Sequence, residues 1–253
     1  MAQAADLETG RLHQEDPMIV KARQAASEFV HSLPNFICQE RIARFRSEVP
    51  PGNWQPRDVL TAELVFANGK EQYRNVRVNG KPVRRRLEQL KGAWSTGEFG
   101  SVLVQLLSPS TGTQFRPGEE DAQDERTNFA FYHFTVSREQ SQWMIVDADR
   151  GIMPPYQGSL QIDMTTGRIH RIERQATDMP AGFSAKLVES TIEYHPLEIA
   201  GRLYLMPAQS EMIICFRGRN SCVKNVITFS RYQKYGSESH LWFGASAGPA
   251  SNH

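Results

Sequence analysis

Two Asn-Gly pairs, Asn68-Gly69 and Asn79-Gly80, each follow a strand-like run, the second of which lies between them. Asn-Gly readily supplies the two positive-φ positions of a type I′ turn, whose twist matches that of the strands it joins. Before the first pair, Leu60, Ala62, Leu64 and Phe66 alternate with Thr61, Glu63, Val65 and Ala67; Tyr73 to Val78 leads into the second. Hairpins in series make a meander, and a meander pairs its strands antiparallel. The chain is therefore expected to be mainly β, around a large antiparallel sheet.

The same period runs through most of the chain. Phe36–Phe45, Thr127–Val136, Gln142–Asp147, Gly158–Met164, Arg168–Ala176, Leu187–Tyr194, Ile199–Met206, Glu211–Phe216 and Val223–Tyr232 all read as strands. In Leu187–Tyr194 the residues Val188, Ile192 and Tyr194 oppose Glu189, Thr191 and Glu193, the pattern of a sheet with one wet face. Thr127–Val136 differs. Phe129, Phe131 and His133 share one face, Ala130, Tyr132, Phe134 and Val136 the other, so this strand is expected to be covered on both sides.

Two segments break the period. Asp16 is a good N-cap and Pro17 suits the first helical position; Ile19, Ala22, Ala26, Phe29, Val30 and Leu33 follow at helical spacing, stopped by Pro34-Asn35. The second helix is expected to begin at Ser95, with Glu98 at capping-box spacing, and to carry Phe99, Val102, Leu103, Leu106 and Leu107 as far as Pro109. With no break in composition, residues 16–243 form one expected domain, between a disordered start (1–15) and a disordered tail (244–253).

The 253 residues carry a formal net charge of +1, too little to single out nucleic acid as a partner. Arg84-Arg85-Arg86, near Lys81, is the one basic cluster and reads as a solvated strand end or loop. No apolar run approaches the roughly 20 residues that span a bilayer. Met1-Ala2-Gln3-Ala4-Ala5 resembles a small-residue cleavage site, as in a mature exported protein.

Cys215 and Cys222 flank Phe216-Arg217-Gly218-Arg219-Asn220-Ser221. A two-residue turn at Gly218-Arg219 would set them directly opposite one another, about 4.5–5.5 Å apart at Cα and within disulfide range. A Cys215–Cys222 disulfide with Cys38 free is the expectation, and it favours an oxidising compartment. The alternative is three reduced thiols. No C-x-x-C occurs, so no metal site is expected.

Catalytic motifs fail on inspection. Gly244-Ala245-Ser246-Ala247-Gly248 spells a nucleophile elbow but has no room after it for acid and histidine partners. The seven histidines are scattered, and His133 reads as a hydrogen-bonded core residue. Asp147 and Asp149 lack the other ligands of a calcium loop, and Glu119-Glu120-Asp121 sits in a polar stretch. No phosphate loop is present, so neither catalysis nor a cofactor is expected.

The order of elements, with Gly158–Ile169, Ile192–Tyr194, Gly201–Pro207 and the late strand Val226–Tyr232, resembles the periplasmic lipoprotein-carrier and lipoprotein-receptor fold. It also looks like exported proteins of unassigned function similar to outer-membrane lipoprotein-sorting proteins. The resemblance implies a strongly curved antiparallel sheet, an unclosed half-barrel, with an N-terminal and an inserted helix over its concave face. It implies a periplasmic or otherwise exported protein whose partner is a lipid, an acyl chain or an envelope protein. Phe99, Val102, Leu103, Leu106 and Phe131 are then the candidate lining of a hydrophobic cleft. The inserted helix is either a mobile lid over that cleft or permanent core. Two functions stay open: a binding protein for lipid or lipoprotein acyl chains, and a structural or interaction module without a small ligand. An unrecognised hydrolase is a third.

Overall fold

The computed structural model describes residues 15–48, 52–85, 87, 90, 98–118, 128–147 and 150–236. In chain order these form α1 (Pro17–Ser32), β1 (Phe36–Ser47), β2 (Gln55–Ala67), β3 (Lys70–Val78), β4 (Lys81–Pro82), α2 (Ser101–Leu107), β5 (Gln114–Pro117) and β6 (Phe129–Val136). Then follow β7 (Ile145–Asp147), β8 (Arg150–Ile152), β9 (Tyr156–Asp163), β10 (Ile169–Ala176), β11 (Ala185–Ile199), β12 (Arg202–Phe216) and β13 (Cys222–Lys234). Of the expected terminal segments 1–15 and 244–253 only Glu15 is described; the rest of them, with Arg86, Ser95, Glu119-Glu120-Asp121 and Asp149, lies outside the described residues.

Eleven strands make one antiparallel sheet in the order β4-β3-β2-β1-β13-β12-β11-β10-β9-β6-β5, while β7 and β8 form a separate hairpin. The two edge strands do not meet, so the sheet is an open half-barrel. Both edges are short and end in proline, Pro82 and Pro117, which discourages pairing with another chain. Register shifts interrupt the ladders at Ile37/Gln39, Arg44/Phe45, Thr61/Glu63, Ile169/Arg171, Ala185/Leu187 and Glu193/Tyr194. Such bulges bend and twist a strand, which curves a wide sheet. Both Asn-Gly turns form, with Asn68 and Gly69 at φ 53° and 73° and Asn79 and Gly80 at φ 47° and 77°.

Helix α1 begins where the cap is expected: the Asp16 side chain accepts from Met18 N at 2.8 Å, and Pro17 opens the first turn. Ile19, Ala22, Ala26 and Phe29 face the sheet. Helix α2 is shorter than the sequence suggests. It starts at Ser101 with no side-chain cap, and Phe99 occupies the turn before it. Phe99 is nonetheless central, with ring centroids 4.8 Å from Phe229 and 5.2 Å from Phe36.

Three strand readings need correction. Ile199 ends β11, while the rest of Ile199–Met206 beyond the Ala200-Gly201 turn joins Glu211–Phe216 in one strand, β12, which runs through Pro207. Pro207 pairs with Tyr194 of β11, but the β12–β13 ladder begins only at Gln209, so the strand passes Pro207 with an open edge, where proline is tolerated. Thr127–Val136 is not covered on both sides: Tyr132, Phe134 and Val136 are buried, but His133 and Thr135 are exposed. His133 is therefore no core histidine. Gln142–Asp147 contributes only the three residues of β7.

Cys215 and Cys222 are opposed in the β12–β13 register and joined by a disulfide, and Cys38 is free and buried. The connection is wider than the expected two-residue turn. Phe216 N donates to Ser221 O at 3.1 Å, and Arg217 N turns away to Ser184 O at 2.7 Å. Gly218 has a positive φ, 64°, as the first position of a type II′ turn does.

Candidate functional site

The inner face of the sheet is apolar over most of its area. A large cluster runs from Phe36, Leu64 and Phe66 through Leu160, Ile162, Ile172 and Val188 to Tyr194, beneath α1 and α2. A smaller one gathers Ile42, Leu60, Ala62, Val76, Leu87 and Ile227. Phe99, Val102, Leu103 and Leu106 are all 4 % exposed or less within the large cluster. Two hydrogen bonds tie this cover down: Arg23 Nη1 donates to Leu107 O at 2.6 Å, and the Tyr194 hydroxyl donates to Glu98 O at 3.1 Å. The inserted helix is core as it stands.

Phe131 does not join these residues. Strand alternation puts it on the face of β6 opposite Tyr132 and Phe134, beside exposed His133. The sequence showed two apolar faces on this strand; only the neighbouring elements decide which one is inner.

Polar side chains interrupt the interior in a way that no motif announced. Glu40 points inward from β1 between Cys38 and Ile42, at the junction of the two apolar clusters, and is 2 % exposed. Its Oε2 has no hydrogen-bond partner among the described residues. Burial holds its carboxyl well above the usual carboxylate range, and the charges of Glu98 and Glu71 push the same way. The Tyr73 hydroxyl donates to Glu71 Oε2 at 2.8 Å beside it, and burial raises that phenol as well. Across the interior, the Arg174 guanidinium lies 4.1 Å over the Trp143 ring, with no acidic partner within ion-pair distance among the described residues. Burial lowers its pKa to about 10, while Tyr156 and Glu98 oppose the shift, so it stays cationic near neutrality. Among the described residues the other buried arginine, Arg44, is conventional: Nη2 and Nε embrace the Asp58 carboxylate at 2.6 and 2.5 Å and hold it below its ordinary pKa.

Glu40 has a measurable consequence. Its unfolded form releases a proton near 4.5, the ordinary value, whereas the folded chain keeps it to higher pH. The stability that goes with this group is thus present below 4.5 and is lost as pH rises through the raised folded value. Glu40→Gln should be about 1 kcal/mol more stable than the parent at about pH 8, with the gain shrinking toward pH 4.5. Urea midpoints at the two pH values check this. A parent protein whose stability does not fall over that window would show that the carboxyl is not desolvated.

The interior is filled, but its rim is not. Beyond Glu193 and Gln209, strands β11 and β12 pair only with each other and project as a two-stranded arm, turned at Ala200-Gly201. The arm lies along α1. Between them, and closed at one end by the β9–β10 turn, is a groove of about 430 Å³. Its floor is Ala26, Phe29, Leu103, Ile169, Tyr204 and Leu205, and its rim carries Arg168, Arg202, Glu28 and His31. Lys21 Nζ braces the β9–β10 turn by donating to Met164 O at 2.9 Å and Thr165 O at 2.7 Å. Gly167 is needed where that turn touches α1: a Cβ there would come within 3.0 Å of Lys21 backbone atoms, at φ +71°. Of the sequence-derived lining residues, Leu103 alone reaches the groove. The other walls come from α1, read as a helix but not as lining, and from segments read only as strands and turns.

Among the described residues no His, Cys, Asp or Glu group could hold a metal ion, and no helix is long and apolar enough to cross a membrane. Arg84 and Arg85 are exposed.

No protein-family model matches the chain, and no curated protein does. Among solved structures it is similar to a LolA superfamily protein from Nitrosomonas europaea, at 13 % identity and a TM-score of 0.37, over 87 % of this chain and 94 % of that one. It is also similar to a DUF1329 family protein from Desulfovibrio piger, at 11 % identity and a TM-score of 0.41, over 90 % of this chain and 98 % of that one.

Proposed function

We propose that this protein is a non-catalytic binding protein of the cell envelope that holds the acyl chain of a lipid in the groove beside α1. The observation that carries the reading is the groove itself. At about 430 Å³ it falls within the roughly 300–1,000 Å³ of small-molecule sites. Its floor is apolar, and its few polar groups are confined to the rim, the arrangement an acyl chain with a polar head requires. The Cys215–Cys222 disulfide supports an oxidising, exported location, since such bonds do not persist in reducing cytosol.

Ala25 lines the groove from a half-buried position on α1, so a larger side chain there fills the space without entering the core. Ala25→Trp should weaken binding of a fluorescent fatty acid by about tenfold or more while leaving the melting temperature close to the parent value. Undiminished binding would remove the groove from the function. A second reading, an envelope interaction module, is favoured by the β7–β8 hairpin, where Met144, Val146 and Met153 are exposed on one face. If the parent binds no lipid at all, that reading takes precedence.

A further inference from the structure

From the charges around the groove, we infer that its ligand is a single-chain amphiphile with a monoanionic carboxylate head, held at the rim by Arg168 and Arg202. This rests on the acyl-chain reading above and adds the chemistry of the head. Arg168 and Arg202 both line the groove, are exposed, and have no acidic partner within ion-pair distance among the described residues. They come from separate places, Arg168 from the β9–β10 turn and Arg202 from the first residue of β12, yet both stand over the same apolar floor. Guanidinium groups suit this task because their planar fork meets a carboxylate with two parallel hydrogen bonds.

Arg202 is partly placed already, its guanidinium carbon 5.4 Å from the centre of the Tyr204 ring. A cation braced on an aromatic face loses less freedom when an anion arrives. The third basic residue, His31, has a fixed tautomer: Nδ1 must donate to Ser27 O at 2.7 Å, because a carbonyl only accepts. Its Nε2 is left for solvent or ligand.

The rim also limits how much negative charge it takes. Glu28 stands with the arginines, so two guanidinium groups against one carboxylate leave a single positive charge, counting histidine as neutral. A monoanion is matched by that sum. A doubly charged head would meet the Glu28 carboxylate uncompensated.

The test is isothermal titration calorimetry on the full chain with dodecanoate, monolauroylglycerol and butyrate: the first two share a chain, and the first and third share a carboxylate. The parent should bind dodecanoate about tenfold or more tightly than monolauroylglycerol, and butyrate not measurably. In the R168Q/R202Q double variant the preference should vanish while monolauroylglycerol binds as before. Both side chains are exposed, so the variant keeps its fold, which an unchanged melting temperature confirms. Added salt should weaken dodecanoate alone. Equal affinity for the two long-chain ligands, or a preference that survives the double variant, overturns the head-group assignment and leaves the acyl-chain reading standing. Butyrate binding as tightly as dodecanoate also overturns it, in favour of a small-carboxylate site. If neither long-chain ligand binds, the acyl-chain reading fails and the assignment falls with it.

Discussion

Leu106→Ala should lower the unfolding free energy by about 2 to 5 kcal/mol. The residue is 1 % exposed and is packed in the large cluster with Phe99, Val102 and Leu103. Truncation leaves a void that the sheet on one side and α1 on the other are too rigid to close, and the cost grows with the void that remains. The helix itself supplies little resistance. At seven residues, with no side-chain cap, it is too short to be stable apart from the surface it covers. Urea denaturation of parent and variant gives the number directly. Because Leu106 does not line the groove, affinity for a fatty acid should be unchanged. A small stability loss combined with weaker fatty-acid binding would instead identify α2 as a mobile lid.

Replacing both Cys215 and Cys222 by alanine should cost about 2 to 3 kcal/mol, the chain-entropy value for a loop closed across a sequence separation of seven. Both residues are buried, so the substitution also removes packed sulfur from the end of the β12–β13 ladder. The companion measurement counts thiols. Without reductant, alkylation of the denatured chain should modify one cysteine of the three, Cys38. In the folded protein even that thiol should react slowly, since it is buried and its pKa is pushed up, first by burial and then by Glu40. Modification of all three under denaturing, non-reducing conditions would eliminate the disulfide and with it the strongest support for an exported protein.

Much of the scaffold was legible from local patterns. The Asn-Gly turns, the capped α1 and the opposed cysteines each rest on chemistry confined to a few neighbouring residues, and each forms as read. Readings failed where the deciding contact lay elsewhere in the chain. The local pattern ends one strand at Met206 and starts another at Glu211, because nothing in it shows that β12 continues past Pro207 on β11 before its ladder with β13 begins at Gln209. Phe131 looked as suited to the interior as Tyr132, because alternation separates two faces without saying which one the helices cover. Glu40 stood in a ragged stretch of charge, and nothing local marked it as the acid buried between two apolar clusters.

What the sequence determined by itself is the period of each element, the turns that join them, and hence an antiparallel sheet with two helices to cover it. Period and turn chemistry act over a few residues, so they can be read without knowing the fold. The site was decided by the tertiary structure alone. Its groove exists because the β11–β12 arm outruns the strands on either side and comes to lie along α1. That overhang brings Arg202 to the groove that Arg168 of the β9–β10 turn also lines, over a floor built partly from Phe29 and Leu103. Charge complementarity of this kind is a property of distances in space, and residues far apart along the chain acquire those distances only when the sheet curves and the helices close on it.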